Sequence, residues 1–73
     1  MNWPERLKPG QPPLRPGEFA LLTGWSYDSI RKQMNAGAIP GKALVEGGEK
    51  RIPVDFARQT ALDLGILSAQ LPA

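Results

Sequence analysis

The sequence predicts a small α+β domain, mainly helical, with three short helices and a two-stranded β-hairpin after the second of them. Proline and glycine divide residues 16–65 into segments of helical length, and Gly47-Gly48 stands between two short runs able to form strands. Length adds a third constraint. The 73 residues, without cysteine or histidine, leave room for one domain whose core must close without a disulfide or an ordinary zinc site.

Residues 1–15 read as a proline-rich N-terminal arm. Pro4, Pro9, Pro12 and Pro13, with Gly10 and Gln11, disfavour helix nucleation and strand pairing, so an extended segment of polyproline character is expected. Trp3, Leu7 and Leu14 are its sizeable apolar groups, able to tack the arm to the domain or leave it loose. The domain itself spans residues 16–65. Its first helix opens with Pro16 at a first helical position and Glu18 beside the positive helix end, and closes at Thr23-Gly24. Trp25 then reads as an apolar plug between helices. Ser26 offers an oxygen to the free amides of a second helix over residues 27 to about 36, with Asp28 in its first turn. Tyr27, Ile30 and Met34 follow i, i+3, i+7 spacing on one face, and Asp28, Ser29, Arg31, Lys32, Gln33 and Asn35 occupy the others.

Ile39-Pro40-Gly41 turns the chain into the hairpin, with strands expected over residues 42–46 and 49–52 and Gly47-Gly48 as the tight link. Pro53 opens a third helix carrying Val54, Phe56, Ala57, Ala61, Leu62 and Leu64, which Gly65 ends. Residues 66–73 form a short tail. The expected core is Phe19, Trp25, Ile30, Met34, Ile39, Leu44, Ile52, Phe56 and Leu62.

Missing histidine and cysteine remove Ser-His-Asp and Cys-His nucleophilic systems. The seven carboxylates lie scattered along the chain, and a carboxylate pair would need a cleft that so short a chain hardly builds. The reading is therefore a protein that is not an enzyme and takes no cofactor, metal or small-molecule ligand. Glu5, Arg6, Lys8 and the prolines interrupt the start of the chain, which excludes a signal peptide, and no apolar run approaches the length of a membrane span. A cytoplasmic location is expected. The net charge of +2 is uneven: residues 1–15 carry +2, Glu18 subtracts one, residues 26–36 and 42–51 carry +1 each, and residues 53–73 carry −1. Cations thus concentrate toward the arm, the second helix and the hairpin, a distribution suited to binding nucleic acid.

Two short helices joined by Thr23-Gly24-Trp25, followed by a hairpin, have the order of parts of a winged helix-turn-helix, with double-stranded DNA as the expected partner. In the second helix, Arg31 is the candidate base reader, because a guanidinium forms two hydrogen bonds with guanine O6 and N7. Lys32 suits a phosphate. Ser26 and Ser29 suit phosphates as well, although Ser26 serves equally as a helix cap. Tyr27 either faces the groove or packs, its spacing with Ile30 favouring packing. Asp28 either accepts from cytosine N4 or complements the helix dipole, the second being the more economical reading. Lys42, Lys50 and Arg51 are the wing candidates, with Glu46 and Glu49 opposing a purely electrostatic wing.

The stretch from residue 14 to about 62 resembles the small winged-helix excisionases of phages and mobile elements, the Xis and Cox type within the MerR-like helix-turn-helix group. The resemblance rests on Arg15-Pro16-Gly17-Glu18-Phe19-Ala20, Gly24-Trp25-Ser26, Ser29-Ile30-Arg31-Lys32, Ala36-Gly37-Ala38-Ile39-Pro40 and Arg51-Ile52-Pro53-Val54. It covers about two thirds of the chain. Tyr27-Asp28 stands where the family often carries basic residues. The resemblance implies a recombination directionality factor that bends DNA at attachment sites and directs an integrase, its protein partner, toward excision. A small phage repressor or MerR-like regulator, and a protein-interaction adaptor using the arm and tail, are the rival readings. The tail is too short for a dimerisation helix, so self-association is expected head to tail on DNA, through Trp3 or through Ile66, Leu67 and Leu71.

Overall fold

Local signals set the helix boundaries. The structure, a computed structural model, describes residues 2–43 and 46–68. In chain order its elements are α1 (Trp3–Arg6), α2 (Pro16–Thr23), α3 (Tyr27–Asn35), β1 (Lys42–Ala43), β2 (Lys50–Arg51) and α4 (Val54–Asp63). The class is mixed α+β, mainly helical, with four helices among the described residues where the sequence predicts three.

The additional helix is α1, inside the arm expected to be extended. Its proline lies in the first turn, where no N–H is required, and the Asn2 side chain caps it by accepting from the Glu5 N–H at 3.3 Å. Helix α2 starts at Pro16 and ends where Gly24, at φ 79°, donates its N–H to the Ala20 carbonyl at 2.8 Å. That left-handed residue suits glycine and redirects the chain into the turn before α3. Ser26 caps α3 by accepting from the Ser29 N–H at 3.1 Å.

Strands β1 and β2 pair antiparallel, Lys42 opposite Arg51 and Ala43 opposite Lys50. The second strand is shorter than the expected 49–52, and this register centres the turn between Glu46 and Gly47, one residue before the predicted Gly47-Gly48 link. Gly47 takes the positive φ, 76°. Leu14 extends the pairing through an isolated antiparallel bridge to Ile52, with both N–H···O bonds at 2.8 Å. At the other end of α4 the chain folds back, and the N–H groups of Ile66 and Leu67 both reach the Ala61 carbonyl, at 2.8 and 3.1 Å.

Helix α2 packs against both α3 and α4. Phe19, fully buried, lies between Phe56 and Trp25, with ring centroids 6.1 and 5.9 Å away. Around it are Leu7, Leu14, Leu22, Ile30, Met34, Ile39, Ile52, Val54, Ala57 and Ala61. Each large aliphatic member contributes about 1.5–3 kcal/mol by leaving water, an upper figure because the unfolded chain already shields part of that area. Phe56 and Leu62, expected in the core, are only half-buried. Trp25 is a clearer correction: it is 38% exposed, its indole touching Phe19 edge-on while the turn after Gly24 keeps much of the ring in solvent. Leu44 and Leu71, expected respectively in the core and at a protomer contact, lie outside the described residues.

Whether the arm is tacked down is settled by Leu7 and Leu14, both buried in the same core as the helices. Arg6 fastens the segment between them. Its Nε and Nη2 donate to the two Glu18 carboxylate oxygens at 2.7 and 3.0 Å, while Nη1 and Nη2 donate to the carbonyls of Pro12 and Pro13 at 2.7 and 3.3 Å. From α4, Arg58 Nε donates to the Leu7 carbonyl at 2.7 Å and Nη1 to Asp55 Oδ1 at 3.2 Å, whereas buried Nη2 has no hydrogen-bond partner among the described residues. Arg6→Met retains the aliphatic stem and deletes the donors, so urea denaturation is expected to read a loss of about 2 kcal/mol. Lys8→Met, which breaks the exposed pair with Glu5, is expected to change stability by less than about 0.5 kcal/mol. Equal losses in the two variants would refute the clamp.

Candidate nucleic-acid interface

Helix α3 and the hairpin form the two walls of an open groove of about 480 Å³. Tyr27, Arg31, Met34 and Asn35 line it from the helix, Gly47, Gly48, Glu49 and Lys50 from the hairpin, and Pro16 completes the lining. The helical wall is built by the packing of its other face: Ile30 is fully buried and Met34 nearly so, which leaves Arg31 pointing outward. The hairpin meets the helix at Gly41, where an added Cβ would displace the end of the Met34 side chain. A Cβ there would lie 2.5 Å from Met34 Cε and 3.4 Å from Lys50 Cβ.

Tyr27 does not join the core as its spacing suggests. It is 45% exposed, at the first position of α3, where the helix has only begun to lean on α2. Its ring is covered by Arg31, whose Cζ stands 5.9 Å from the ring centroid. Such a contact stabilises an exposed pair by about 0.5–1 kcal/mol and narrows the range of positions the guanidinium samples. Asp28 and Lys32 form an exposed i, i+4 ion pair at 3.2 Å, so the Lys32 charge is partly offset within its own helix. Ser26 is occupied as the cap of α3, and Ser29 accepts from Gln33 Nε2 at 3.2 Å. Among the described residues, Arg31, Lys42, Lys50 and Arg51 have no carboxylate within ion-pair distance.

Strand alternation separates the hairpin cations. Lys50 lines the groove, while Lys42 and Arg51 face one another across the ladder on the opposite side of the hairpin. Like charges directly opposite one another destabilise a strand pair by about 0.2–1 kcal/mol, a cost that an anion near them would reduce. The predicted site residues therefore divide into a groove set, Tyr27, Arg31 and Lys50, a set engaged within α3, Ser26, Asp28, Ser29 and Lys32, and an outer set, Lys42 and Arg51. Asn35 and Arg15 escaped the sequence reading of the site, and Glu49 entered it only as a charge opposing the wing cations. Asn35 shares the helical wall with Arg31 one turn on, a position readable from helical spacing. Glu49 shares the hairpin wall with Lys50. Arg15, exposed, immediately precedes the groove residue Pro16.

A second cavity, of about 320 Å³ and mainly apolar, lies where α1, α4 and residues 67–68 meet, with Leu7, Pro9, Leu62 and Leu67 in its walls. Among the described residues no three carboxylates converge as a metal site, and no helix is long and apolar enough to cross a membrane. No protein-family model, curated protein or solved structure matches the chain.

Tyr27→Ala is expected to cost less than about 1 kcal/mol in denaturant unfolding, whereas Ile30→Ala, which empties a fully buried site, costs about 2–5 kcal/mol. Comparable losses would place Tyr27 in the core.

Proposed function

We propose that the protein is a winged helix-turn-helix DNA-binding protein, with α2 and α3 as the helix-turn-helix, α3 as the reading helix and the β1–β2 hairpin as the wing. The observation that carries this reading is Arg31: unpaired, exposed and braced on Tyr27, on the outer face of a capped helix and across an open groove from the free Lys50. A helix of nine residues is about 14 Å long and enters a major groove about 12 Å wide, where a guanidinium meets guanine O6 and N7. Lys50 then meets a phosphate alongside, and the Arg15 charge next to Pro16 adds to the same field.

The resemblance to phage and mobile-element excisionases extends this reading to a biological role. In it the protein is a cytoplasmic directionality factor that bends attachment-site DNA, associates head to tail on direct repeats and turns an integrase toward excision. It performs no chemistry of its own. Bending a site of this kind costs on the order of 1–6 kcal/mol, offset by added phosphate contacts from neighbouring protomers.

Selection from a random duplex pool, followed by anisotropy titration across salt concentrations, tests the assignment. Arg31→Ala is expected to lose about 1–3 kcal/mol on the selected site and to relax one base position. Lys50→Ala weakens all duplexes and lowers the salt slope by about one unit, and Lys32→Ala lowers it by less because Asp28 already offsets that charge. Direct repeats bent in circular-permutation gel shifts favour the excisionase. An inverted repeat on straight DNA favours a repressor, and salt-independent or absent duplex binding favours a protein-interaction adaptor.

A further inference from the structure

The groove that holds Arg31 and Lys50 also holds a carboxylate. Among the described residues, Glu5, Glu18, Asp28 and Asp55 each have a cation within ion-pair distance, and Asp63 accepts from Gln59 Nε2. Glu49 has no such partner, although Lys50 is its neighbour in sequence and Arg31 lines the facing wall. Glu46 is also unpaired but does not line the groove. The hairpin therefore presents one full negative charge on the surface assigned to a polyanion.

We propose that Glu49 is a specificity-determining residue: its carboxylate disfavours contact driven only by the DNA backbone and makes binding depend on base edges. This rests on the DNA-binding reading above. In a non-specific complex every groove side chain lies among phosphates, and a carboxylate within a Debye length of about 8 Å of them repels the duplex whatever its sequence. In a specific complex Lys50 still meets a phosphate, but α3 seats the groove over base edges and the neighbouring Glu49 carboxylate turns to them, where the amino groups of cytosine N4 and adenine N6 donate to an acceptor. The same charge is then a cost off-site and an acceptor on-site. With few cations in the interface, a single anion shifts the balance between the two states appreciably.

The test uses the full chain, a random-sequence 30-bp duplex and the best duplex selected by the parent protein, titrated between about 50 and 200 mM salt. Glu49→Gln keeps the side-chain length and hydrogen bonding while removing the charge, and its exposure leaves folding untouched. The expected result is about three- to tenfold tighter binding of the random duplex, with a steeper salt slope, against a change within about twofold on the selected duplex, so that the ratio between them falls. Glu49→Lys is expected to exaggerate each change. If Glu49→Gln binds the random duplex as the parent does while Lys50→Ala weakens it, Glu49 does not face the backbone and the inference is overturned with the DNA-binding reading intact. If parent, Lys50→Ala and Arg31→Ala are alike in negligible binding at the lowest salt, both fall together.

Discussion

The Arg6 guanidinium is the tie on which the arrangement depends. It satisfies both oxygens of Glu18 on α2 and the carbonyls of Pro12 and Pro13, and so fixes a stretch that has few other means of fixing itself. Proline has no N–H, so such a segment cannot build a ladder and offers chiefly acceptors. Held in that position, Leu14 pairs with Ile52 at the base of the hairpin, and the hairpin in turn stands beside α3. The groove is thus tied to contacts made by the arm, outside the groove lining itself.

Within that frame the groove divides the work between rigid and adjustable parts. Buried Ile30 and Met34 fix the rotation of α3, and the hairpin meets that helix at Gly41. The polar groups in the opening are long side chains on short elements. Only Arg31 among its cations is braced by a neighbour, Tyr27, which lowers the conformational entropy it loses on meeting a partner.

Helix ends were legible because single residues decide them: Pro16, Gly24, Ser26 and Pro53 act through backbone geometry or a capping oxygen wherever the tertiary structure places them. The arm was not. Proline breaks a helix interior, yet Pro4 occupies a first turn where it is favourable, and the Leu7 carbonyl is held by Arg58, 51 residues away. The hairpin shifted by one residue because register follows cross-strand pairing, and the bridge from Leu14 to Ile52 has no local signature. Trp25 and Tyr27 misled for one reason: both are large and apolar at plausible spacing, but each sits at a helix junction with one face free. Glu49 was visible as a charge, but its place opposite Arg31 depends on how the hairpin leans, which only the folded chain reveals.

The bond from Arg58 to the Leu7 carbonyl bears on how the molecule is made. A chain leaving the ribosome releases its N-terminal part first, and that part here contains Leu7, Leu14 and a proline stretch, with Leu14 pairing with Ile52 and the Leu7 carbonyl accepting from Arg58. Contacts across so much sequence close late and slow folding relative to local helical pairing. During synthesis the emerging segment therefore waits as an unfinished layer. The many prolines in that layer lessen its hazard, because a strand lacking donors is a poor template for pairing with another nascent chain.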